Sequence, residues 1–319
     1  MNIKTRYSLL MLLFLGSIYL GICLGAETFT LSRLFSLSEL DRVILFRIRL
    51  PRVAAAFITG AGLAVSGSVL QALLRNPLAE SYTLGISGGA SLGICAGVIM
   101  GKLSLIPFFA FIGAVGSVLI IISSSKRRFS NTTVILLGVA LNFLFSSLVL
   151  FILSIVKNDR FQPTLMWLIG DISYFPPGIL LPAIMLVTVI SVHLAFSGNV
   201  YDMISMGEEK AASMGVDADM EKKAAFFLCC VITGLCVSLG GIIGFAGLIV
   251  PHVSRFIFGS TQRRIIPVSF ISGGIFLLLA DTAARTLIRP VEIPVGVITG
   301  FAGGIFFLSI LLKNGRREF

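Results

Sequence analysis

Few side chains in this sequence are equipped for chemistry, and their spacing excludes most of it. The two histidines, His193 and His252, lie far apart without a companion motif. The five cysteines (Cys23, Cys95, Cys229, Cys230, Cys236) sit inside apolar runs without metal-ligand spacing, and they read as small hydrophobes. There is no G-x-x-x-x-G-K-[ST] phosphate loop: Gly101-Lys102 is followed by Leu103 and lacks the earlier glycine. What remains is charge. Arg33, Arg42, Arg47, Arg49 and Arg52 crowd one segment that Glu27, Glu39 and Asp41 only partly offset. Asp281 and Arg285 stand four apart, where they can pair on one helix face. From Gly198 to Phe226 runs the longest charged stretch, with acids and lysines around a small Met/Ala face. Such groups hold proteins together; they do not assemble a reaction centre.

The elements that must carry these groups are membrane spans. Hydrophobic residues make up 56% of the chain and charged residues 13%, about half the roughly 25% charge of a soluble domain. Apolar runs near the 20 residues that a spanning helix needs recur from end to end. Ten spans are predicted: Tyr7–Gly25, Arg52–Leu74, Leu84–Met100, Pro107–Ser123, Thr132–Ile155, Gly178–Phe196, Ala224–Leu239, Phe245–Phe258, Ile265–Leu287 and Pro294–Leu312. Between the seventh and eighth, Gly240-Gly241 is the one candidate turn. The whole chain, 1–319, therefore reads as a single all-α polytopic membrane domain. The glycine-spaced run from Arg49 to Gly93 belongs to helices that pack closely and slide against each other. The first apolar run lacks a small-x-small cleavage site and is long for a signal peptide, so it reads as a retained helix.

With ten spans and both termini inside, most of the 25 lysines and arginines fall on the cytoplasmic side, among them Lys4, Arg6, Arg75, Lys126–Arg128, Lys222, Lys223, Arg263 and Arg264. The external segment 27–51 is the basic exception. Ser38–Arg49 reads either as an amphipathic helix at the lipid headgroups or as a docking surface for an acidic extracytoplasmic partner. The cytoplasmic loop 198–223 contains a short predicted helix, Glu208 to Ser213, ended near Gly215. It suits presentation to a soluble partner. Two stretches opening on Ile58-Thr59-Gly60 and Ile232-Thr233-Gly234 also match at Gly67/Gly241, Pro77/Pro251 and Gly85/Gly259. A five-span offset reverses orientation, which suggests an inverted repeat of spans two to five and seven to ten.

Read together, the motifs resemble one family. They are RLPR (Arg49 to Arg52), Ser66-Gly67, Leu70-Gln71, RNPLA (Arg75 to Ala79), Leu84-Gly85, SGGA (Ser87 to Ala90) and WLIG (Trp167 to Gly170). Then follow GEEKA (Gly207 to Ala211), Met214-Gly215, GFAGLIVPH (Gly244 to His252), Arg255, LLADTAAR (Leu278 to Arg285) and EIPVGVIT (Glu292 to Thr299). In that order they are similar to the membrane permeases of binding-protein-dependent ABC importers for iron–siderophore chelates, haem and cobalamin (type II importers). Ser81 departs from the family pattern, which has proline after the RNPLA turn, as does Gly303-Gly304 in the last span.

The resemblance implies a ten-helix permease acting as a homodimer or with a paralogue, in the bacterial plasma membrane. Two cytoplasmic ATPase subunits would use ATP and Mg, and an extracytoplasmic binding protein would deliver cargo. The chain itself would bind no cofactor, metal or nucleic acid and would be no enzyme. It implies docking of the binding protein by Arg49, Arg52 and Arg285. The coupling helix would comprise Gly207, Glu208, Glu209, Ala211, Ala212 and Gly215. A cytoplasmic gate would form from Asn76, Pro77 and Leu78 with Asn131 and Thr132. Asn142, Ser146, Ser147, Thr299 and Gly300 would line the pathway. An iron chelate is the default cargo, with cobalamin as the alternative. An ion-coupled secondary transporter is the competing class; it usually leaves ionisable residues at mid-membrane, where this sequence has almost none, Asp281 and Arg285 coming closest.

Overall fold

A computed structural model describes residues 2–25, 29, 38–124, 130–156, 158–172 and 178–315, and every regular element among them is helical. In chain order the helices are α1 (Ile3–Cys23), α2 (Glu39–Leu73), α3 (Ile86–Ile99), α4 (Ile106–Ser124), α5 (Asn131–Ile155), α6 (Asn158–Ile169), α7 (Leu180–Phe196), α8 (Gly198–Met206), α9 (Glu208–Ser213), α10 (Ala218–Gly240), α11 (Ala246–Phe258), α12 (Gln262–Thr286) and α13 (Val295–Gly315). Each of the ten predicted spans falls on one of them.

Length separates these helices into two kinds. Six described helices (α1, α2, α4, α5, α10, α12) are long and apolar enough to cross a membrane, and the α7–α8 pair, bent by 54°, adds a seventh. Helix α3 has 14 residues and α11 has 13. At 1.5 Å per residue they rise only about 20 Å, short of a hydrocarbon core of about 30 Å. Their N-termini start inside the protein from left-handed residues, Gly85 (φ 77°) and Phe245 (φ 67°). Gly240-Gly241 turns the chain as predicted: α10 ends at Gly240, and Gly241 caps it at φ 65°.

Helix α2 is the axle. It begins outside the predicted span, where Ser38 and Asp41 exchange side-chain-to-backbone hydrogen bonds in a capping box. Its stretch Ile44–Arg49 is π-helical. The wide turn precedes Pro51, which has no N–H for the preceding turn and whose ring crowds it. The amphipathic segment is therefore continuous with the second span rather than a separate helix. It exposes Leu40, Val43, Phe46 and Ile48 beside Arg42 and Arg47. Beyond Pro51, α2 is almost wholly buried, packed by α12, α10, α11 and α7. Glycine makes this possible: a Cβ on Gly60 would lie 2.2 Å from the carbonyl of Gly273 on α12.

The residue-level repeat does not survive. Gly67 lies in mid-helix whereas Gly241 is a cap, and Pro77 occupies a turn whereas Pro251 is inside α11. Gly85 starts a helix and Gly259 ends one. Single glycines and prolines recur wherever helices pack or turn, so a fixed spacing of such residues carries little register. The element pattern does recur: α2–α5 and α10–α13 both run long, short, long, long. The packing is exchanged between the halves, α2 against α12 and α10 against α4.

Candidate functional site

Helix α2 is long enough to separate two ends of the bundle, and the charged groups sort between them. At its first end the structure gathers Arg49, Arg52 and Arg285 around the end of α1. Arg49 donates to the carbonyls of Ile22 (2.7 Å) and Cys23 (3.2 Å) and stacks over the Phe29 ring at 4.3 Å. Arg285 donates to the carbonyls of Leu24 and Gly21. Both cations thus satisfy the orphan carbonyls of a helix C-terminus, where the dipole favours positive charge. Asp281 lies between Arg285 (2.9 Å) and Arg52 (3.0 Å), and Arg52 reaches on to Glu292 at 2.8 Å. The three predicted docking arginines come together, but as members of a largely buried network; Arg42, Arg47, Arg289 and Glu292 are among the charged groups exposed at this end. Asp281 and Arg285 pair on one helix face as their spacing predicted. The role of Glu292 and the sharing of Asp281 with Arg52 were not read from the sequence, because no local spacing links positions 229 residues apart.

At the far end, α2 runs into the RNPLA turn. Arg75 takes φ 50°, and the Asn76 side chain accepts the Leu78 N–H at 3.0 Å, closing the turn around Pro77. Leu78 is 45% exposed. It faces a cavity of about 560 Å³, lined also by Glu80, Phe245, Leu248, Gly296 and Gly300. Ser81, the departure from the family pattern, is buried; its hydroxyl meets those of Thr233 (2.7 Å) and Ser66 (3.0 Å). A hydroxyl network thus pins the turn to α10 and α2. Of the residues expected along a pathway, Gly300 shares the cavity with Leu78. Asn142, Ser146 and Ser147 lie on α5 apart from that cavity, the two serines exposed among outward-facing Phe143, Leu144 and Leu150. Thr299 is fully buried and bonds the Gly296 carbonyl, so it faces no open space in the protomer.

Glu80 was missed by sequence reading, although it directly follows the RNPLA motif. It is buried and lines the cavity. Burial pushes its carboxyl up from an ordinary 4.5 to about 7, against the opposing pull of the Phe245 N–H. A raised value means that the folded protein holds this proton more tightly than the unfolded chain does. The stabilisation is complete below pH 4.5 and is lost as pH climbs through 7. The unfolding temperature is expected to fall between pH 5 and pH 8 and to lose that component in Glu80→Gln. An equally steep fall in the variant would remove Glu80 as its source.

The loop 198–223 is ordered throughout. Asp202 on α8 accepts the Gln262 N–H that opens α12, at 2.9 and 3.0 Å. Helix α9 occupies Glu208–Ser213, the range predicted, between Gly207 (φ 134°) and Gly215 (φ 82°). Both bracketing residues need the left-handed half of the map, which glycine alone enters cheaply. Ala211 points inward and is fully buried, while Ala212 is exposed, as are Met206 (62%), Met214 (56%) and Met220 (69%). Asn131 opens α5, with Thr132 exposed next to it. The basic run Lys126–Arg128, the acid Glu27, Arg33, Arg316 and Arg317 lie outside the described residues.

The chain as a whole has known relatives. Residues 10–313 match the FecCD transport family. The vitamin B12 import system permease protein BtuC of Vibrio vulnificus is 36% identical, covering 96% of this chain and 92% of its own length. The hemin transport system permease protein HmuU of Yersinia pestis is 35% identical, over 96% and 93%. Among solved structures, an inward-facing ABC transporter assigned to the metal-chelate type matches with a TM-score of 0.86 at 27% identity, over 98% of this chain and all of that one. PsaBC from Streptococcus pneumoniae, at 16% identity and a TM-score of 0.58, shares the fold.

Proposed function

Because the chain belongs to the FecCD transport family, as an ABC importer permease, we propose that its cargo is an iron chelate, a siderophore complex or haem, with cobalamin as the second reading. The carrying observation is the full-length likeness to the metal-chelate-type transporter, supported by the 35% identity to the hemin permease. The 36% identity to the vitamin B12 permease favours the second reading.

The chain is a multi-pass membrane protein; ten crossings with both termini cytoplasmic are our reading of its topology. In that reading the shorter helices α3, α11 and α13 and the bent α7–α8 pair cross together with the six long helices. The recurring long-short-long-long order and the exchanged packing of the halves support an inverted repeat. The exposed apolar residues of α5 and α13, Phe143 and Leu150 on one and Phe301, Ile305 and Leu308 on the other, suit lipid and a second permease copy, identical or paralogous. Helix α9 with its methionine surround would seat in each of two ATPase subunits, which bring ATP and Mg. Asn76, Pro77 and Leu78, with Asn131 and Thr132, would form the gate, and Gly300 would line the pathway behind it. Arg49, Arg52 and Arg285 would answer acidic groups of the binding protein by re-pairing the network around Asp281, Glu292 being its exposed member. No step here makes or breaks a covalent bond in this chain.

The test is uptake into proteoliposomes that contain the permease with its ATPase and are supplied with its binding protein. Labelled ferric hydroxamate, haemin and cyanocobalamin are compared. Transport of an iron species or haemin, dependent on ATP and insensitive to a protonophore, is expected. Uptake of cyanocobalamin alone would establish the second reading, and uptake driven by a proton gradient without ATP would sink both.

A further inference from the structure

Lys222 stands on the first turns of α10 and is only 1% exposed. Its ammonium has two acceptors from two different elements. One is the Asn131 side-chain oxygen at 2.7 Å, at the opening of α5; the other is the carboxylate of Glu208, the first residue of α9. A buried ammonium is costly unless its donors are taken up, and losing one partner of a buried pair costs more than the pair contributes. Withdrawal of either α9 or the start of α5 would leave that charge with a single acceptor. The adjacent Lys223 makes a useful contrast: it pairs with Asp219 four residues back, and both side chains are substantially exposed. Such a pair is screened and contributes little.

The same helix reaches the other half of the gate. Eleven residues beyond Lys222, about 16 Å along a rigid helix, Thr233 bonds Ser81 at the end of the RNPLA turn. One helix therefore holds Asn131 through Lys222 and the turn through Thr233. Glu208 remains 43% exposed on its side chain, so an arriving ATPase surface can compete for it.

We propose that Lys222 is a positioning residue that transmits movement of α9 to the gate, by sharing its ammonium between Glu208 and Asn131. The inference rests on the coupling and gate roles proposed above and assigns the connection between them. When the ATPase shifts α9, the ammonium must either draw the α5 terminus along or fall wholly onto Asn131; in both cases the gate registers the position of α9.

The experiment uses the assembled permease–ATPase complex in proteoliposomes, carrying Leu78→Cys as a crosslinking reporter across the dimer, with Mg-ATP as the probe. In this parent, crosslinking is expected to change on adding Mg-ATP. Lys222→Met should retain the ATPase and hydrolyse ATP within about twofold of the parent, while the ATP-dependent change in crosslinking falls at least fivefold. Lys222→Arg should restore part of the response, and Lys223→Met should leave it intact. Asn131→Ala cuts only the gate arm and should reproduce the loss, with no further loss when it is combined with Lys222→Met. An undiminished response in Lys222→Met overturns the proposal; if that variant does not assemble, an undiminished response in Asn131→Ala does so instead. A parent that neither retains the ATPase nor responds to Mg-ATP would sink the coupling and gate roles themselves, and the link with them.

Discussion

Ala212→Trp combined with Met214→Glu is expected to reduce ATP-driven transport at least a hundredfold while leaving the isolated permease as stable as the parent. Both side chains point outward, so the substitutions add bulk and charge to a surface and disturb no core. An apolar contact between proteins concentrates its affinity in few residues, each commonly contributing about 2 kcal/mol or more. Burying a new carboxylate without a partner adds to that cost, and every 1.4 kcal/mol or so is a factor of ten in binding. The flexible Met206, Met214 and Met220 suit a groove to which they must adapt. Co-purification of the ATPase and stimulated hydrolysis are the measurements. Retention of both would move the docking site away from α9. The neighbouring Ala211→Trp is expected to fail differently: that position is closed, and the indole would disrupt the fold before any partner is involved.

That difference shows what the sequence carried and what it lacked. The bounds of α9 were legible because Gly207 and Gly215 bracket a run with helical spacing, and glycine at helix ends has a backbone cause. Which alanine faces inward was not, because a six-residue helix carries too little periodicity to fix a face. The ten apolar segments were legible from length and hydropathy, and the Gly240-Gly241 turn from its glycines. The start of α2 was not, since Pro51 suggests a boundary and only the π-turn before it allows the helix to run through. Arg49, Arg52 and Arg285 were grouped through the resemblance, and the structure brings them together. Their burial against Asp281 and the α1 carbonyls depends on helix packing, which no local pattern encodes. Glu80 was missed and Lys222 was counted only as a cytoplasmic cation for a related reason: a charge near a loop looks solvated until another helix covers it.

The second large effect concerns glycine as a contact surface. Gly67→Val is expected to lower the unfolding temperature by more than 10 °C and to lose the monodisperse species in detergent. A Cβ at Gly67 would lie 1.9 Å from the Gly247 carbonyl oxygen, with the Gly247 backbone carbon atoms within 2.6 Å. The obstacle is backbone, so no rotamer change relieves it, and α2 must separate from α11. Overpacking in a tight core typically costs 1–3 kcal/mol; displacing two helix axes puts this case at roughly the upper end or beyond. The separation would also break the bond from Gln71 to the Gly247 carbonyl (3.0 Å), and with it the seat of Arg255 on Gln71. Reciprocity is not expected. A Cβ at Gly247 would stand 2.9 Å from the Leu63 carbonyl, a milder conflict, whereas Gly116 has open space. Unfolding temperatures should therefore fall in the order Gly116→Ala, Gly247→Ala, Gly67→Ala, from negligible to severe. Equal stability of the three variants would mean that α2 and α11 do not approach through these glycines. The approach of α2 to α11 would then owe nothing to Gly67, one of the small residues that made the Arg49–Gly93 run stand out in the sequence.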